Sequence, residues 1–203
     1  MVQNSLNPRV SIGPDILEQY IYPGPSENRV EQLRRLFGAW ESLYWKASRM
    51  RELAGDADQQ YRNFYVGCAI LAFRNDLPPL QGRWQYFGGL NAKVECASRP
   101  VCAEAVAIQS AYAAGYQEII GMVIMGNSQL DEHSKVASPT LHPCHECRLL
   151  MRKHPIMRNH TRILTALPPP LEAEHTTTFR TTWELHTLSQ ILKLHKEIDE
   201  GGS

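Results

Sequence analysis

Cys102 and Glu104 form a C-x-E motif, and Pro143, Cys144 and Cys147 form a P-C-x-x-C motif; Cys102 and Cys144 lie 42 residues apart. Three thiolates bind one zinc ion and leave a fourth coordination position for water, whereas a structural zinc closes with four protein ligands. The remaining cysteines, Cys68 and Cys96, have no partner at two-residue spacing. His145, between two of the thiolates, is expected to point away from the metal. An open site is therefore the better count. Zinc brings its bound water to a pKa of about 7, so hydroxide is available at neutral pH. Glu104 is not needed as a ligand and is left as the general base and acid for that water's protons. A C-x-E alone is a weak signal, and a lone C-x-x-C is more often half a zinc ribbon or a redox pair. The proline, the glutamate and the interval together are specific.

Each motif needs a rigid support, and each opens a helical pattern. The alanine-rich run Glu104–Ala114 stops at Gly115, and His145–Lys153 ends before Pro155. Pro143 suits the start of a helix, and Cys144 and Cys147, three apart, share one face. Thiolates at helix N-termini are stabilised by the free N–H groups and the dipole there.

Around these helices the chain alternates. Residues 1–26 carry four prolines and two glycines and are expected to form an irregular extension. Residues 27–200 are expected to form one catalytic domain. Leu33, Leu36, Phe37, Trp40, Tyr44 and Ala47 fall on one helical stripe. Asp56–Gln60 is a polar connection. Tyr65–Phe73 reads as a buried strand, Asn75–Pro79 as a turn and Arg83–Phe87 as a partner strand. Ile119–Met125 and Arg162–Leu167 read as strands, Thr177–Trp183 as a β-prone run, and Leu188, Ile191, Leu192 and His195 as a final helix. Strands interleaved with helices predict an α/β sandwich around one mixed sheet.

Composition narrows the classes. A chain of 203 residues, 43% hydrophobic, can bury one substantial core. With 21 basic and 21 acidic residues, no net charge steers it to nucleic acid or an anionic membrane. No apolar run reaches the roughly 18 residues of a membrane span. Met1–Ser5 lacks the features of a signal peptide, and metal-type cysteine usage fits a reducing compartment, so a cytoplasmic location is expected.

The chain resembles the cytidine deaminase family from about residue 30 to 195. Tyr61–Ala69 (YRNFYVGCA) is similar to the family's Y-S-x-F-x-V-G-A-A segment, and Asn91 stands where the family has the asparagine of its N-x-E motif. Cys102-Ala103-Glu104, Pro143–Arg148 and Trp183-Glu184-Leu185 resemble its C-A-E, P-C-x-x-C-R and E-L-L segments. The resemblance implies a three-layer α-β-α sandwich on a five-stranded mixed sheet, one Zn2+ per chain, and hydrolytic deamination of a cytosine-type nucleoside or nucleotide. It further implies that Phe64 stacks on the base, Asn91 holds the ribose, the Ala103 N–H meets the pyrimidine carbonyl, and the His142 carbonyl meets the exocyclic amine. A homodimer or homotetramer is the implied assembly.

Three departures change the grip on substrate. Lys93 replaces the carboxylate that accepts the ribose hydroxyl, and lysine has donors only. Ala105 replaces an arginine that offsets thiolate charge, leaving a zinc centre of about −1 unless Arg148 or another group substitutes. The 126–142 loop is long and leads straight into Pro143, where it could cover the pocket. Cytidine, deoxycytidine and modified or phosphorylated analogues all stay open as substrates. Two other readings compete: deamination within a polynucleotide, supported by the basic residues Arg148, Arg152, Lys153, Arg158 and Arg162, and a non-catalytic zinc-stabilised module.

Overall fold

In a computed structural model, the structure describes residues 29–57, 64–77, 82–92, 101–168 and 182–197. The expected 1–26 extension and most of the 56–60 connection lie outside them. The sheet is built around two apolar strands. β1 (Gly67–Phe73) reads GCAILAF with no polar side chain, and β3 (Glu118–Met125) reads EIIGMVIM. A strand apolar at consecutive positions must be covered on both faces. Cys68, Ile70 and Ala72 accordingly enter one core cluster, and Ala69 and Leu71 the other. β2 (Trp84–Leu90) pairs antiparallel with β1 on its outer side, and β3 pairs antiparallel on the inner side. β4 (Arg162–Ala166) runs parallel to β3, and β5 (Trp183–Thr187) closes the edge antiparallel to β4. The order is β2-β1-β3-β4-β5, a mixed five-stranded sheet.

One long helix, α1 (Arg29–Ala57), covers one face; its Leu43 and Ala47 are buried and Trp40 and Tyr44 half-buried, along the expected stripe. The side chains of Leu33, Leu36 and Phe37 fall outside the described set. On the other face lie α2 (Ala103–Ala113), α3 (His145–Lys153) and α4 (Leu188–Leu194). The result is the expected α-β-α sandwich. The parallel β3–β4 pair requires a crossover, and that crossover carries the 126–142 loop and α3.

The ends of the helices follow from local chemistry. Gly115 ends α2 at φ +82°, a conformation that costs glycine nothing. Gly89 of β2 lets α2 lie directly on the sheet: a Cβ there would sit 2.1 Å from the Ala103 carbonyl oxygen. Of the β-prone run, Thr177–Thr181 lie outside the described residues; within them a strand runs from Trp183 to Thr187. It stops there because Thr187 caps α4: its hydroxyl accepts from the Gln190 N–H while the Gln190 side chain accepts from the Thr187 N–H.

Candidate active site and metal centre

Cys102 is the N-cap of α2 and Cys144 the N-cap of α3, both with extended backbone and no side-chain cap bond. Two helix N-termini thus converge, each offering unpaired N–H groups and the positive end of a dipole. The Cys102 and Cys144 sulfurs are 3.8 Å apart, and one sulfur from each of Cys102, Cys144 and Cys147 lies within 4.8 Å of the others. Tetrahedral zinc at about 2.3 Å from sulfur sets its ligands about 3.8 Å apart, so the spacing fits the ion. Three thiols this close share their protons unequally. S–H donation from Cys102 and Cys147, helped by α3 N–H groups, drives Cys144 far below the usual thiol range, while Cys102 and Cys147 are driven up.

Glu104 sits one residue into α2 and is 5% exposed. Burial pushes its carboxyl up to about 7, with the charge of Cys144 adding to the effect. Phe64, Asn91, Cys102, Ala103, Glu104, His142 and Cys144 all line one cavity of about 410 Å³, and Cys147 lies buried beside it. Lys93 lies outside the described residues. Asn91 is engaged with backbone: its Oδ1 accepts from the Val66 N–H at 2.6 Å and its Nδ2 donates to the Phe64 carbonyl at 2.9 Å. It therefore fixes the segment that carries Phe64, and these bonds use one of its two N–H donors.

The 126–142 loop forms one wall of this cavity through Gln129, Leu130, Asp131, Glu132, His133, Val136, Ser138 and His142. It is tied down by Arg148. That guanidinium is fully buried and donates to Asp131 at 2.7 Å, to the Pro143 carbonyl at 2.7 Å and to Glu197 at 2.9 Å. The Arg148 bond holds the Asp131 carboxyl well below the usual range against its burial. Arg148 is thus committed to two carboxylates rather than to the sulfurs, and it is not part of an exposed basic face. Arg152 and Arg158 donate to main-chain carbonyls.

Two histidine clusters escaped the sequence reading. His145 does have other partners than a metal held by the cysteines: it hydrogen-bonds Glu197 at 2.8 Å and stacks on His133 with ring centroids 3.7 Å apart. The His142 ring, for which no motif indicates a partner, is buried against His195, Glu184 and His186. Only the even spacing of Glu184 and His186 on one strand hinted at a shared face.

Residues 43–161 match the model of the cytidine and deoxycytidylate deaminase zinc-binding region. The chain belongs to this family, whose cofactor is zinc. Among solved structures it is similar to cytidine deaminase from Burkholderia pseudomallei, at 20% identity over 74% of this chain and 94% of that one, with a TM-score of 0.50. It is also similar to cytidine deaminases from Mycobacterium leprae (22% identity, 75% and 96% covered, TM-score 0.46) and Mycobacterium tuberculosis (18%, 75% and 93%, 0.45). The first likeness speaks for the fold. No helix among the described residues is long and apolar enough to cross a membrane.

Proposed function

We propose that this chain is a zinc-dependent aminohydrolase that converts a cytosine-type nucleoside or nucleotide, cytidine, deoxycytidine or a modified analogue, to its uracil product and ammonia. The observation that carries the reading is the buried Glu104 carboxyl beside three sulfurs gathered at two helix N-termini on one cavity. Cys102, Cys144 and Cys147 would hold the metal, which when bound supplies an acidified water at neutral pH. Glu104 would take a proton from the water that adds at C4 and deliver it to ring N3, then take the remaining proton of the C4 hydroxyl and give it to the amine as the C4 carbonyl forms, the C4–N bond breaks and ammonia leaves. Its position out of bulk water suits both transfers. Phe64 would stack on the base, Asn91 hold the sugar, the Ala103 N–H donate to the pyrimidine carbonyl and the His142 carbonyl accept from the amine; Lys93 would select at the sugar.

The described cavity wall favours a neutral or amine-bearing nucleoside over its phosphate. Asp131, Glu132 and Glu146 line it, and no lysine or arginine does among the described residues. Its volume lies within the roughly 300–1,000 Å³ of small-molecule sites, and the burial of Arg148 removes the core of the basic cluster a polynucleotide would need. Homodimer or homotetramer assembly in the cytoplasm belongs to the same proposal; the exposed Trp45, Trp183 and Leu185 support the assembly, and sedimentation tests it. Ammonia release from cytidine, deoxycytidine, cytidine monophosphate and an aminoacylated analogue tests the chemistry. Zinc-loaded protein that releases none from any of them overturns the reading.

A further inference from the structure

Beside the His142 ring, two imidazoles and one carboxylate face one another. His142 Nε2 is 3.3 Å from one Glu184 carboxylate oxygen, and His186 Nε2 is 3.8 Å from the other. His186 Nε2 is buried from solvent and has no hydrogen-bond partner. A buried polar atom left unpaired is costly and calls for an explanation.

A hydrogen-bond chain fixes what His142 can offer. Asp131, an ionised carboxylate paired with Arg148, only accepts, so the Ser134 hydroxyl donates to it at 2.8 Å. The Ser134 oxygen then accepts from His195 Nδ1 at 2.6 Å. Burial pushes His195 down to about 4, so its ring carries that one proton and its Nε2 is bare. His195 Nε2 therefore accepts from His142 Nδ1–H at 3.0 Å. This places the proton of a neutral His142 on Nδ1 and a lone pair on Nε2. The Ser138 hydroxyl brings no proton there either, because it and the Thr140 hydroxyl both donate to Glu184.

We propose that His142 Nε2, the Glu184 carboxylate and His186 Nε2 form a second metal site, for a divalent transition-metal ion of the zinc type. Two donors at about 2.0–2.1 Å from a tetrahedral ion stand about 3.3 Å apart; one ligand atom of each residue lies within 4.8 Å of the others, so a closure of about 1.5 Å or less brings them onto one ion, with Glu184 offering the oxygen that faces His186 while its other oxygen keeps the two hydroxyls. Two imidazoles and one carboxylate suit zinc, cobalt, nickel or copper rather than calcium or magnesium. The outer contacts are those a metal site uses: His142 donates its other ring N–H to His195, and two hydroxyls orient Glu184. Glu184 and His186 keep about a quarter of their side chains exposed, so the cluster lies near the surface although His186 Nε2 itself is buried. The ion would clasp the 126–142 loop to the edge strand β5, one residue before Pro143 and Cys144.

The test is a Co2+ titration of the zinc-loaded protein, with bound metal counted by elemental analysis. The thiolate site and the nitrogen–oxygen site are read separately, because only cobalt on thiolates gives sulfur charge-transfer absorption. The expected result is uptake of about one further equivalent with d–d bands and no new charge-transfer band, and a rise in Tm. His186→Ala and Glu184→Gln, checked for native circular dichroism, should each weaken this uptake at least tenfold while keeping the first equivalent. The proposal is overturned by no uptake beyond the thiolate equivalent, or by uptake unchanged in both variants. Nitrogen NMR showing His142 doubly protonated at neutral pH with Co2+ present overturns it as well, since a proton then fills the place of the ion. None of these outcomes bears on deaminase turnover, which the first equivalent serves.

Discussion

Gly88 and Gly89 are adjacent on β2 and point to opposite faces of the sheet, so one methyl group added to each makes a matched experiment. At Gly89 the new Cβ would lie 2.1 Å from the Ala103 carbonyl oxygen and 2.7 Å from the Ala107 nitrogen. Ordinary van der Waals contact begins at 3.4 Å, so the first helical turn of α2 must retreat by about 1.3 Å. That turn carries Cys102 and Glu104. At Gly88 the methyl would instead meet the Met50 sulfur at 2.7 Å and its Cγ at 2.9 Å, the flexible end of one side chain. Overpacking against backbone falls at or above the upper end of the usual range, about 3 kcal/mol, and against methionine at or below about 1 kcal/mol. For a domain of this size these correspond to Tm losses of about 6–12 °C and 2–4 °C. The larger difference is functional. A displacement of about 1 Å at reacting groups costs roughly 10²-fold in rate. It would also open the 3.8 Å sulfur spacing that fits zinc. Gly89→Ala should therefore lose about 10²-fold in kcat and weaken zinc retention, while Gly88→Ala keeps both. Melting curves, zinc content after dialysis against a weak chelator, and kcat on the best substrate of the panel measure the three quantities. Equal zinc retention and kcat in the two variants would refute the argument that α2 is held by backbone contact with β2.

Four further outcomes are expected. Glu104→Gln should retain zinc and fold yet lose about 10²- to 10⁴-fold in kcat; near-native turnover would remove Glu104 from the mechanism. Cys144→Ser should lose zinc and lower Tm together, because metal-binding energy is folding energy; a zinc-loaded variant of unchanged Tm would contradict the ligand set. Asp131→Asn should cost about 1–3 kcal/mol at pH 7 by leaving Arg148 with one carboxylate. The folded Asp131 carboxyl is held below its unfolded value of about 3.9, so its stabilisation is complete above that pH and fades as pH falls; a urea-midpoint gap from wild type that fails to narrow in acid counts against the pairing. Lys93→Glu should shift kcat/KM toward plain cytidine and away from an anionic analogue by roughly 5- to 150-fold, and an unchanged ranking across the panel would end its specificity role.

What the sequence shows clearly is what is local. The zinc motifs are each a few residues at a helix start, so capping preference, proline placement and the C-x-x-C interval expose them without knowledge of the fold. β1 and β3 are legible because strands buried on both faces are apolar over a continuous run, Gly67–Phe73 and Ile119–Met125. The Thr187–Gln190 capping box is equally local, a threonine followed three residues later by a glutamine at a helix start. Contacts between distant segments were not legible. Arg148 reads as one of a basic cluster or as an offset to thiolate charge until Asp131, 17 residues before it, and Glu197, 49 residues after it, are seen to close on it. The His142 ring meets Glu184 only because β5 pairs with β4 in a register that periodicity alone does not specify.

The long-range contacts share one consequence for substrate choice. Three thiolates with one divalent cation carry about −1, and the departure at Ala105 removes the neighbouring arginine that would offset it. Arg148 cannot take that part, because it is buried between Asp131 and Glu197 and already outnumbered by them. The cavity is therefore walled by the 126–142 loop with its acidic side chains and floored by a negative metal centre. Glu132 and Glu146 are exposed and Asp131 is paired with Arg148, so on the proposed reading the wall disfavours an anionic substrate modestly and less so as salt is added. On that reading Lys93 would offset this for a phosphate at the sugar, whereas a neutral or amine-bearing sugar would need no such offset. The loop wall and Lys93 would then both bear on the charge the pocket accepts, and the ranking of substrates by Lys93→Glu separates the two.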